Sequence, residues 1–250
     1  MVQHLGILVL CACATSPATA APAYFENLIN AGNVEFKFYD PAKDHREYPG
    51  KAEYEIDFLV THRFRGTTRD DSQFWSFEPT FEPSKRVVKH LLTLPQDQNM
   101  AAIWDRRLPH HEFDHVAISM APRVVILFDH IVSKITVIDT KIPTSTRPSE
   151  DEVNQIINTE VTKRRKAVAD LVQSNYLLLD KVSSHGRHAI KRRNAFFRSL
   201  YTKANLDHAE FPYTADALDL IGHDVYLNVE LPYRFDCAVC PPWLWHADEG

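Results

Sequence analysis

The chain has 250 residues, 44% apolar and 24% charged, with a formal net charge of −5, a balance that suits a soluble globular protein with one sizeable core. No basic excess is present to neutralise phosphates, so no nucleic-acid partner is expected. Seven glycines leave little material for Gly-rich phosphate loops, whereas 13 histidines raise both the prospect of metal binding and the rate of accidental motifs.

The first element is a leader. LGILVLCACA is an apolar run too short to span a bilayer, and SPATAAPA behind it places Ala18-Thr19-Ala20 in the A-x-A arrangement of a cleavage site. The opening MVQH carries no Lys or Arg, which departs from the usual pattern. Residues 1–21 are therefore expected to be a signal peptide, giving a secreted or periplasmic protein with no transmembrane segment after cleavage. The alternative is a lipid anchor through Cys13. Once the leader is removed, Cys237 and Cys240 are the remaining cysteines. They suit a local disulfide in an oxidising compartment, and no second pair exists for a four-thiolate zinc site.

Residues 22–200 form the predicted main domain, β-rich over 23–97 and helical over 98–200. Tyr54-Glu55-Ile56-Asp57-Phe58 alternates apolar and polar, as a half-buried strand does. Phe74, Trp75 and Phe77 mark a second strand, and VVKHLLTL (Val87–Leu94) a third, closed by Pro95. Turn residues at Arg65–Thr68 and Glu82–Ser84 separate them. The expectation is a small antiparallel sheet of three or four strands. Pro109 then suits the first turn of a helix, or a kink in one begun near Asn99. Val116, Met120, Val124, Leu127, Phe128, Ile131 and Ile135 follow at three- and four-residue steps, an apolar helical face that Pro122 should bend or end. After a loop over 139–148, Ser149 and Glu152 form a capping-box signature for a long helix. Val153, Ile156, Ile157, Val168, Leu171, Val172 and Leu179 line its buried face, and Gly186 is its expected stop. RHAIKRRNAFFRSLY reads first as a solvated basic helix face and second as a contact for anionic lipid or cell-wall polymer. Residues 201–250 are a C-terminal extension of unclear role, with a possible late strand over Val225–Phe235. The fold class is α+β, a small sheet followed by a helical, zincin-like half.

Chemistry concentrates at His111-Glu112-Phe113-Asp114-His115, an H-E-x-x-H sequence. On a helix, positions i and i+4 share a face, so both imidazoles can reach one metal ion. Glu112, next to the first ligand, can take a proton from a water at the metal. A zinc hydrolase needs a third protein ligand. The end of the long helix offers two: His185, or Asp180 with His185 left to stabilise an oxyanion. Asp180 fits poorly as a plain helix terminus, because an anion there opposes the helix dipole.

The order of these features resembles the predicted secreted Zn-dependent proteases of bacteria. Thr93-Leu94-Pro95, Trp104, the His111–His115 motif and Asp180-x-x-Ser183-x-His185-Gly186 carry the resemblance, over about residues 50–187. The chain departs from it at Asp114, where that family commonly has Gly, and at Leu179, where it often has Tyr. The resemblance implies a zinc-dependent protease acting on a peptide or protein; a cell-wall peptide or amide is the second reading within hydrolases. A zinc-binding module without turnover is the reading from another class, and Glu112 between the two His ligands weighs against it.

Overall fold

The computed structural model describes residues 23–68, 74–96, 103–104, 106–141 and 148–227. The expected leader, Cys13, the Cys237/Cys240 pair and most of the expected late strand lie outside these residues.

The region read as β-rich opens with a helix, α1 (Ala23–Gly32). Phe25 and Leu28 are three residues apart, fall on one helical face and are buried. Five strands follow: β1 (Val34–Tyr39), β2 (Lys51–Leu59), β3 (His62–Thr68), β4 (Trp75–Phe81) and β5 (Lys85–Pro95). A sixth, β6 (Ile138–Thr140), comes later in the chain. They form two three-stranded sheets instead of the one expected, ordered β1-β5-β2 and β3-β4-β6. The first sheet is also mixed. β5 lies between its partners, antiparallel to β2 (Ile56↔Val88) and parallel to β1 (Phe36↔Leu92). The correction has a topological cause. β1 and β5 are joined only after the chain has laid down β2, β3 and β4, and no local pattern reports such a pairing. The alternation read at Tyr54, Ile56 and Phe58 holds, with these side chains on the inner face of β2 and Phe58 fully buried.

Helix α2 (Arg107–Ser119) packs on this sheet and is buried from Pro109 to Ser119. Its Phe113 ring stacks on Phe25 of α1 at 3.9 Å, with Trp104 edge-on to Phe36 of β1 at 5.5 Å. Pro122 ends the first helix early: the chain turns at Met120 and Ala121, and α3 (Pro122–Ser133) starts with the proline in its first turn, where no N–H is needed. Among the described residues, the α2–α3 stretch Arg107–Ser133 is long and apolar enough to cross a bilayer by length and composition. Here most of it is buried in the protein core.

Helix α4 (Glu150–Ser183) carries the predicted capping box: Ser149 Oγ accepts from the Glu152 N–H, and the Glu152 carboxylate accepts from the Ser149 N–H at 2.8 Å. At 34 residues it is about 50 Å long. Tyr54 Oη donates to Ala169 O and Arg164 Nε to Ile131 O, tying it to β2 and α3. Four short helices close the described chain: α5 (Arg193–Ser199), α6 (Lys203–His208), α7 (Thr214–Ile221) and α8 (Asp224–Leu227). They share the same core. Tyr201 Oη donates to Ile118 O, Arg123 Nε to Tyr226 O, and Tyr226 Oη to Tyr201 O. The start of the stretch read as a late strand is thus the helical turn α8, fixed from both sides through Tyr226.

Candidate metal centre

The side chains of α2 meet those of α4 in reverse order. His111 faces Ser183 and Asp180, His115 faces Asp180 and Tyr176, and Ser119 faces Tyr176. The two helices therefore run antiparallel, which brings the end of α4 over the H-E-x-x-H turn. Asp180 Oδ1 lies 3.0 Å from His111 Nε2 and 3.2 Å from His115 Nε2. One ligand atom from each of the three lies within 4.8 Å of the others. Bonds of about 2.0–2.1 Å to a tetrahedral zinc ion place neighbouring ligand atoms about 3.3 Å apart. Two imidazole nitrogens and one carboxylate oxygen at these spacings fit such an ion. His111 and His115 are 5% exposed, so water does little to satisfy these groups. The cluster can hold a metal ion.

His185 is adjacent but differently placed. Its Nδ1 is 3.7 Å from the same Asp180 oxygen, and its side chain is 42% exposed. Three successive residues explain the position. Ser184, His185 and Gly186 take positive φ values of 53°, 54° and 75°, so the chain leaves α4 in a left-handed turn. Asp180 O accepts from the N–H groups of Ser184 and His185, and Ser183 O from that of His188, which holds the turn together. Gly186 is required twice over: its φ disfavours any L side chain, and a Cβ there would come within 2.8 Å of the His111 ring. His111 Nδ1 is 3.4 Å from Ser183 Oγ, which also receives the Gly186 N–H at 3.1 Å. A proton on Nδ1 facing Ser183 leaves the Nε2 lone pair toward Asp180, the tautomer a ligand needs. Ser183 was visible in the sequence as part of the closing motif, without a role.

Glu112 is 2% exposed, and its Oε2 has no hydrogen-bond partner among the described residues. Burial pushes its carboxyl up to about 8, against the opposing pull of His111 and with help from the Asp180 and Asp114 charges. Gly50 lies directly on it: a Cβ at that position would overlap Oε1 of Glu112 and come within 2.7 Å of Leu108 Cδ1. Asp180 is held well below the ordinary carboxylate range. Its partial burial works the other way but is outweighed by His111 and His115. Burial depresses His115, whereas for His111 the Asp180 hydrogen bond and the surrounding carboxylates overcome burial and raise it.

Two further features escaped the sequence reading. Asp114, between the metal-facing residues, is buried and accepts from Arg193 through Nε at 3.1 Å and through Nη2. Arg193 therefore turns inward from a stretch read as a solvated basic face, and with it α5 is tied to α2. Arg107 Nη1 donates to Arg187 O at 2.7 Å, so the closing turn is held at a second point. The other feature is Tyr48, whose ring stacks on His185 at 4.0 Å. Both Tyr48 and Gly50 belong to the irregular chain between β1 and β2, where no periodicity marks a residue as part of a site.

Comparison of the chain with known protein families, with curated proteins and with solved structures finds no match.

Proposed function

We propose that this chain is a zinc-dependent hydrolase of peptide or related amide bonds, with His111, His115 and Asp180 as the protein ligands and Glu112 as general base. One observation carries the reading. A single Asp180 oxygen lies within 3.2 Å of both imidazole Nε2 atoms, beside a buried carboxylate that has an unpartnered oxygen. A purely structural polar cluster has no use for that carboxylate, because leaving a buried polar atom unsatisfied costs about 1–3 kcal/mol. The distances support Asp180 over His185 as third ligand. His185, at the exposed rim, is then free to donate to the oxygen of a polarised carbonyl.

A bound zinc ion would supply Lewis-acid polarisation of the carbonyl and bring a water's pKa down to about 7. Glu112 accepts the proton of the attacking water at its free oxygen. Burial keeps the Glu112 carboxylate away from bulk water, so its free oxygen is available to a water held at the metal. Glu112 then returns the proton to the leaving amine. Ser183 keeps His111 in its tautomer, and Asp180 supplies the one full negative charge of the ligand set. The expected leader and the order of motifs support reading the chain as a secreted or periplasmic protease, with a protein or a cell-wall peptide as substrate.

The test is a pair of variants assayed on a fluorogenic peptide library and on purified cell wall. Glu112→Gln is expected to keep its zinc and lose about 10²–10⁴-fold in rate, since an amide cannot take the proton. His111→Ala is expected to lose both metal and activity. A Glu112→Gln protein as active as wild type removes Glu112 from the mechanism. A zinc-loaded wild type that cleaves neither class of substrate overturns the hydrolase reading.

A further inference from the structure

The centre is covered. His111, Glu112 and His115 are each at most 5% exposed, and among its ligands only Asp180 reaches the surface. Among the described residues, Tyr48-Pro49-Gly50, at the end of the β1–β2 connection, forms part of the cover. Gly50 presses on the Glu112 carboxylate, and Tyr48 stacks on His185, which is 42% exposed beside Asp180. Both contacts stand over the side from which a carbonyl would approach Glu112.

The same segment is weakly attached. Residues 41–49 are exposed and belong to no helix or strand. Among the described residues, the segment over the centre has few ties. Tyr39 Oη donates to Pro49 O at 2.8 Å, and Tyr48 stacks on His185. Lys43 pairs with Asp40 and Arg46 with Asp44 within the connection, and the Arg46 guanidinium lies over the Tyr39 ring at its base. Segments with few buried contacts open locally at small cost, whereas α2 and α4 beneath are core helices. The stack is the tie on the side of the segment that faces His185, beside the Tyr39 hydrogen bond to Pro49 O.

Resting on the metal-site reading above, we propose that Tyr48-Pro49-Gly50 is a gate over the metal centre, latched by the Tyr48–His185 stack, which must lift for a ligand to reach Glu112 and the metal. Tyr48 acts on access, and not on how tightly the metal is held.

Zinc exchange separates these two roles. The purified full chain is loaded with zinc, and zinc release to a chromogenic chelator and zinc uptake by the metal-free protein are timed. In Tyr48→Ala both rates are expected to rise together, by about threefold to tenfold for an aromatic pair of ordinary strength, while the equilibrium affinity stays at the wild-type value. Tyr48→Phe keeps the stacking ring and is expected to keep wild-type rates. Unchanged rates in Tyr48→Ala overturn the gate. So does a faster release without faster uptake, which weakens affinity and makes Tyr48 a support for His185 instead. Failure of wild type to bind zinc is a different result, and it overturns the metal-site reading itself.

Discussion

Near the C-terminal end of α2, buried His90 from β5 places Nε2 2.6 Å from Ser119 Oγ and Nδ1 2.6 Å from Gly32 O, and Tyr176 Oη donates to the same serine. One turn toward the N-terminus, His115 packs 4.5 Å from the same Tyr176 ring, but among the described residues its Nδ1 has no partner. Both imidazoles are buried, and they differ in satisfaction. Around His90 each ring nitrogen has one matching group, the arrangement of a neutral imidazole that fastens β5, α1 and α2 together. Around His111 and His115 one carboxylate oxygen serves two rings, and the neighbouring Glu112 keeps an oxygen unpaired. Buried histidine alone therefore says little. A shared acceptor next to unmet polar atoms is what separates a site that awaits a ligand from a polar knot in the core.

The comparison breaks first at the ion pair that frames the second cluster. Arg193→Met leaves the Asp114 carboxylate buried without its guanidinium and is expected to cost about 3–5 kcal/mol, much of it recovered when Asp114 is replaced by Leu in the same chain. Denaturant unfolding of the single and double variants checks this, and an Arg193→Met protein as stable as wild type means the pair does not hold α5 to α2.

His90→Ala sharpens the contrast. It removes partners from Ser119 and Gly32 O and is expected to cost about 1–3 kcal/mol while leaving bound zinc unchanged. Its pH dependence follows from the sign of the shift. Burial holds the His90 pKa below 6.5, with Arg86 adding to it and the Gly32 bond opposing. The contribution is fully present above 6.5 and falls as the pH drops below it, because the unfolded chain takes up a proton that the folded chain does not. The stability gap between wild type and variant, measured on metal-free protein, should narrow between about pH 7 and pH 5. A gap that widens toward pH 5 contradicts a neutral structural His90.

Gly186→Ala is a smaller change aimed at the metal-facing cluster. The left-handed backbone and the His111 ring leave no room for a methyl group. A stability loss of roughly 1–2 kcal/mol is expected from the backbone term, with a zinc affinity weakened about 10–100-fold as His111 is displaced from its Ser183 support. Titration of zinc against a competing chelator measures the second effect. An unaltered affinity shows that the His111 orientation does not depend on the closing turn.

Local periodicity made much of this legible in the sequence. The i, i+4 spacing put His111 and His115 on one face of a helix, Ser149 and Glu152 marked the start of α4, and Pro122 marked the break between α2 and α3. The meeting of the Asp180–Gly186 segment with the first motif was also expected. That Asp180 lies near both rings while His185 sits at the rim was not legible, because it depends on three left-handed residues at the end of α4, and two of the three are not glycine. Arg193 sat in a run of basic residues, and composition does not tell which of them turns inward. Gly50 and Tyr48 lie in an irregular connection, and the parallel pairing of β1 with β5 spans three intervening strands. Each of these is set by tertiary packing, which acts without a sequence period.

The central claim is that His111, His115 and Asp180 hold a metal ion. Elemental analysis of the purified protein beside its Asp180→Ala and His90→Ala variants, each after zinc loading and gel filtration, tests it most directly. The account predicts one zinc per chain in wild type and in His90→Ala, and a loss of stoichiometric zinc in Asp180→Ala. A wild-type protein that stays metal-free, or an Asp180→Ala protein that binds zinc as tightly as wild type, contradicts it.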